Sequence, residues 1–130
     1  MDKDKHIKYW IEAAKVDYKA MKNLFNSKDY VWSLFIGHLV IEKLIKAVAV
    51  KNNIEIIPKI HDLVKLSNRA NLDIQENTCD LLDVITSFNI EARYPDYKNE
   101  FYKKCDQQFT SFYIEKISEL RLWLLEQIEK

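Results

Sequence analysis

Apolar residues recur at intervals of three and four along most of the chain, and the recurrence fails only at short polar clusters. From about Lys5 to Phe25 the residues Ile7, Trp10, Ile11, Ala14, Tyr18, Met21 and Phe25 form one stripe of a long amphipathic helix. Asn26-Ser27-Lys28-Asp29 interrupts it and offers caps for a second helix, Tyr30 to about Asn53. That second segment is apolar almost all round, which places it at the centre of the fold. Asn52-Asn53 and Pro58 mark a connection, and a short third helix is predicted from about His61 to Asn71, with Ile60, Leu63 and Leu66 inward. Asp73 and Glu76 have capping-box spacing, which predicts a fourth helix over about Ile74 to Ile90 that buries Leu81, Leu82, Ile85 and Phe88.

Glu91 to Gln108 carries no clear helical stripe. Pro95 pushes Tyr94 out of helical geometry, so Arg93-Tyr94-Pro95-Asp96 is predicted to be a loop, of a length that in compact domains tends to be functional or disordered. A last helix is predicted from about Phe109 to Glu129. Four long helices and one short one, joined mostly by short connections, predict an all-α antiparallel up-and-down four-helix bundle with an additional short helix, residues 1–130 forming one domain.

Composition narrows the picture. One glycine and two prolines in 130 residues leave too few turn residues for a sheet protein and none for a glycine-rich phosphate loop. Twenty basic residues balance twenty acidic ones, so no overall field draws the chain to nucleic acid or an anionic membrane. Cys79 and Cys105 make neither a disulfide framework nor a zinc set. The longest apolar stretch, Val31 to Val50, contains His38, Glu42, Lys43 and Lys46, which argues against a membrane span. With no secretory leader pattern at the start, the expectation is a cytoplasmic protein with no metal and no cofactor.

The candidate chemistry lies where polar residues interrupt apolar faces. His38, Glu42 and Lys46 stack one turn apart on a face shared with Val31, Phe35, Ile45 and Ala49. They read either as a polar cleft, in which an arginine from elsewhere pairs with Glu42, or as a solvated edge strip. His61-Asp62 opens the third helix, where Asp62 suits a cap and His61 either faces the same cleft or is a plain loop residue. Arg93 is one of three arginines against seventeen lysines, and it reads as a clamp for a carboxylate or phosphate or as a salt bridge tying the loop down. Tyr94, Tyr97, Phe101 and Tyr102 could stack a base or fold back on the core. Asp17 is a weaker candidate for an inward polar group.

Taken in order, Asp17, Phe35-x-x-His38-x-x-x-Glu42-Lys43-x-x-Lys46-Ala47, His61-Asp62-Leu63 and Ala92-Arg93-Tyr94-Pro95-Asp96 resemble the HEPN domain family over about Ile7 to Leu125. The resemblance implies a helical bundle that forms homodimers and works beside a small separate nucleotidyltransferase in toxin–antitoxin-like modules, with nucleotide or RNA as the ligand. The ligand-binding set it suggests here is Arg93, Tyr94, Asp96, His61, Asp62, Lys46, Glu42 and His38. Many relatives cleave RNA with an arginine and, after four to six intervening residues, a histidine. The histidines here are His6, His38 and His61, and every arginine follows the last of them. Arg93 is followed at those distances by Lys98, Asn99 and Glu100. The leading expectation is therefore a non-catalytic nucleotide-binding or nucleotidyltransferase-partner module. A metal-independent ribonuclease toxin with a rearranged site and a pure dimerisation or adaptor domain are the alternatives.

Overall fold

The computed structural model describes residues 2–130. They form α1 (Lys3–Asn26), α2 (Tyr30–Lys51), α3 (Leu63–Arg69), α4 (Glu76–Arg93), α5 (Pro95–Lys104) and α6 (Gln107–Glu129), with no strand among the described residues. The all-α expectation holds. α2 packs against α1, α3, α4, α5 and α6, and it buries side chains on nearly every face, including Leu34, Ile41, Leu44 and Ile45. Its near-continuous apolar sequence is what permits that position.

A chain with one glycine must end its helices by other means. α1, α2 and α3 each end in a left-handed residue, Lys28 (φ 68°), Asn53 (φ 64°) and Asn71 (φ 57°). At all three ends the next amide reaches back to the last turn: Asp29 N to Leu24 O (2.8 Å), Ile54 N to Ala49 O and Leu72 N to Ser67 O (both 3.0 Å). These are Schellman closures, and asparagine tolerates the conformation best after glycine. Gly37 serves packing instead. It lies in mid-α2, where an added Cβ would sit 2.6 Å from Ile117 Cδ1 and 3.2 Å from Met21 Sδ, so its missing side chain lets α1 and α6 close on α2.

Two boundaries differ from expectation. Asp73 does not cap α4; the helix starts at Glu76 with Gln75 extended before it. Leu72 is buried and Ile74 packs on the core. Residues two apart share a side only in extended chain, so burying both delays the helix. The larger correction concerns 91–108, which is not a loop. α4 runs on to Arg93, Tyr94 alone is extended (φ −90°, ψ 127°), and α5 starts at Pro95. A proline that expels its predecessor from the helix also suits the first position of the next one, because that position needs no N–H donor. Phe101 and Cys105, one turn apart, are buried beyond the Tyr94 break. Phe101 stacks on Phe88 of α4 at 5.6 Å, and Phe88 also meets Tyr113 of α6 edge-on at 5.2 Å. Phe101 is therefore core and unavailable to a ligand, whereas Tyr94, Tyr97 and Tyr102 are exposed.

Candidate functional site

His38 and Glu42 lie one turn apart on α2 and are buried, His38 completely. Their polar atoms are engaged inside the protein. Glu42 Oε2 accepts from Lys46 Nζ at 3.1 Å, and Oε1 accepts from His61 Nδ1 at 2.7 Å. The Glu42 side chain is 6% exposed and that of Lys46 12%, while the His61 side chain is 57% exposed. A carboxylate buried to this degree requires partners, and it takes one from its own helix and one from the segment before α3. The Lys46 ammonium also sits 5.2 Å from the centre of the Trp10 ring, and Trp10 Nε1 donates to His6 Nε2 at 3.2 Å.

The backbone of His61 carries the next link. His38 Nε2 donates to the His61 carbonyl at 2.8 Å. A carbonyl only accepts, so the proton of a neutral His38 ring is on Nε2 and Nδ1 is left as an acceptor. Asn89 of α4, itself 3% exposed, meets that atom through Nδ2 at 3.4 Å. Its Oδ1 accepts from Arg93 Nη2, and its backbone carbonyl accepts from Arg93 Nε at 3.0 Å. A single thread thus runs from Lys46 and Glu42 through His61, His38 and Asn89 to Arg93. It joins α2, the connection before α3 and α4, with each donor matched to an acceptor.

Electrostatics agree with the tautomer. Burial pushes the His38 pKa below its ordinary 6.5, and His61 and Arg93 push the same way against the opposing pull of the His61 carbonyl and Glu42. The ring is neutral at pH 7. His61 is different in kind. Its Nδ1–H is held by a buried carboxylate, which leaves Nε2 as the acceptor of an exposed imidazole, a geometry suited to accepting a proton or holding an anion once charged.

The expected pairing of Glu42 with Arg93 is not formed. Each satisfies itself with a different residue, and His38 and Asn89 stand between them. Arg93 uses the Nε/Nη2 edge of its guanidinium on Asn89, is exposed at the end of α4, and lies 5.5 Å from the centre of the Tyr94 ring. Nearby on α5, Lys98 covers Trp32 of α2 at 5.1 Å. Asp62 is used as a cap, its Oδ1 accepting from Val64 N and Lys65 N at 3.1 Å. Asp96 is exposed and borders a surface depression of about 470 Å³ shared with Glu91, Glu100, Lys103 and Lys104, away from the thread. Asp17 is inward as anticipated and pairs with Lys43 at 2.5 Å.

Asn89 and Trp32 went unnoticed in the sequence. A signal for Asn89 existed: it continues the α4 stripe Leu82, Ile85 and Ala92, so it is a polar residue on a buried face, as His38 and Glu42 are on theirs.

An all-helical fold with a buried polar thread ending in an exposed arginine before a Tyr-Pro pair defines a bundle whose polar centre lies between its helices. The chain belongs to the HEPN family: the HEPN domain model matches residues 7–128, nearly its whole length. No curated protein and no solved structure matches it. Among the described residues no group of three or more metal-ligating side chains converges, and no helix is long and apolar enough to cross a membrane.

Proposed function

We propose that this HEPN chain is a nucleotide-binding module of a toxin–antitoxin-like pair, acting as a cytoplasmic homodimer beside a small nucleotidyltransferase, and that Arg93 is its phosphate contact. The supporting observation is the Arg93 arrangement. Two bonds to Asn89 fix one edge of the guanidinium, its other edge is turned away from Asn89, and the exposed Tyr94 ring lies alongside. A planar fork held this way suits a phosphate, and an exposed aromatic beside it suits a base. The balanced overall charge fits a single nucleotide better than a long polyanion. The absence of an Arg-x(4–6)-His pair supports binding without turnover. Isothermal titration with ATP and GTP tests the assignment. Binding by the wild type that is weakened at least tenfold by Arg93→Ala is expected, and no binding by the wild type sinks it.

One observation favours a second reading. The Glu42–His61 pair is a carboxylate-oriented imidazole with an accessible Nε2, the arrangement that general bases use. A ribonuclease built on it predicts RNA breakdown by the purified protein that both His61→Ala and Arg93→Ala abolish. Intact RNA after prolonged incubation would exclude it.

A further inference from the structure

Arg93 could in principle adopt many rotamers at a helix end, yet it is folded back onto the residue one turn earlier. Its Nε and Nη2 both donate to Asn89, one to the main chain and one to the side chain. The side-chain bond requires the amide oxygen of Asn89 to face Arg93, so Nδ2 must face the other way. That way lies His38 Nδ1, which takes the amide hydrogen only while it carries no proton of its own. His38 in turn has its proton on Nε2 because the His61 carbonyl accepts it. The direction of each side-chain bond from His38 to Arg93 follows from that one carbonyl.

We propose that Asn89 is a positioning residue for the Arg93 phosphate contact, and that the state of the buried His38 ring decides which way its amide points. The proposal rests on the reading of Arg93 given above and adds a regulator to it. A proton added at His38 Nδ1 confronts the Asn89 NH2 group, donor against donor. The amide relieves this by turning over, which brings NH2 instead of oxygen to the guanidinium. Arg93 then keeps only the main-chain carbonyl, loses its fixed pose, and binds phosphate less well.

The charged and titratable groups around His38 come from each side of the thread. Glu42 lies on the same helix, His61 in the segment before α3, and Arg93 on α4. Burial, His61 and Arg93 favour the neutral ring, so the binding-competent arrangement is the one present at neutral pH, and acid releases it.

Nitrogen-15 NMR of the free protein tests the coupling without any ligand, and calorimetry with ATP at pH 7.5 tests its consequence. The expected spectrum has His38 protonated at Nε2 and two distinct Arg93 Nη resonances, Nη2 being set apart by its bond to Asn89 Oδ1. That inequivalence should be lost on acidification along the same titration curve as His38. Asn89→Ala should abolish it at every pH and weaken ATP about two- to tenfold, the cost of ordering one freed side chain on binding. Asn89→Asp presents an acceptor to Arg93 in either orientation, so it should uncouple the Arg93 signal from pH and keep Nη2 bonded throughout. This second variant also separates positioning from any folding defect of the first. A His38 protonated at Nδ1 in the neutral protein overturns the proposal, as does an Arg93 signal indifferent to the His38 titration. ATP that fails to bind the wild type while the two signals still move together overturns the phosphate assignment and leaves the coupling standing.

Discussion

Replacing Glu42 by glutamine tests the buried end of the thread by removing a charge at nearly constant shape. Glu42 accepts two bonds from charged or polarised donors, Lys46 at 3.1 Å and His61 at 2.7 Å. Bonds to charged groups contribute about 1.5–3 kcal/mol each. The His61 contribution belongs at or below the low end, because that side chain is 57% exposed and solvent screens it. Glutamine can keep both contacts in neutral form. Its Oε1 accepts from Lys46, which has no other option, so its Nε2 must donate toward His61. That contact forms only if the imidazole moves its proton from Nδ1 to Nε2. Glu42→Gln is therefore expected to cost about 1–2 kcal/mol, the charged part of the two bonds. Glu42→Ala, which leaves the Lys46 ammonium without its carboxylate, should cost about 3 kcal/mol or more. Urea unfolding at pH 7.5 with an unchanged slope measures the first effect, and the nitrogen-15 pattern of His61 reports the proton shift. A variant as stable as the wild type, or one whose His61 retains its Nδ1 proton, would refute this account of the carboxylate.

Three further outcomes follow from the same geometry. Gly37→Ala forces the Cβ against Ile117 Cδ1, an overpacking cost of about 1–3 kcal/mol set against about 1 kcal/mol of helix propensity. Ile117→Val removes the offending methyl, so a double-mutant cycle by thermal unfolding should show a favourable coupling of about 1 kcal/mol, and strict additivity would contradict the close approach. Because burial lowers the folded-state pKa of His38 below 6.5, the unfolded chain takes up the proton first as pH falls. Stability owed to this ring is full above about pH 6.5 and declines below it, and a denaturation series on His38→Gln should lose that part of the decline. Burial, followed by Glu91, pushes the Cys105 thiol up to about 12, whereas Cys79 is only half-buried. Iodoacetamide at pH 8 should therefore modify Cys79 alone in the native protein and both thiols in urea, as read by mass spectrometry.

How much the sequence alone determined depended on whether the deciding interaction was local. The helical period, the all-round apolar α2 and the breaks after residues 26, 53 and 71 are nearest-neighbour properties, and the bundle followed from them. The polar residues on the α2 face were legible for the same reason, since burying His38 and Glu42 requires only that α2 be central. Asp62 as a cap was equally local. α5 was lost because proline was read only as the end of one helix, although it also opens the next, and because the buried pair Phe101 and Cys105 is too short a stripe to register.

Only the tertiary structure decided the pairings. Glu42 could have met any cation in the chain; it met Lys46 and His61 because the connection before α3 passes over that turn of α2. Arg93 was expected to reach Glu42, but Asn89 lies one turn before it on the same helix and is packed against His38, so the nearer partner takes it. Hydrophobic spacing says which side of a helix is buried. Which polar atoms meet there depends on helix rotation and offset of an ångström or two, and hydrogen bonds that fail beyond about 3.5 Å are sensitive to that scale.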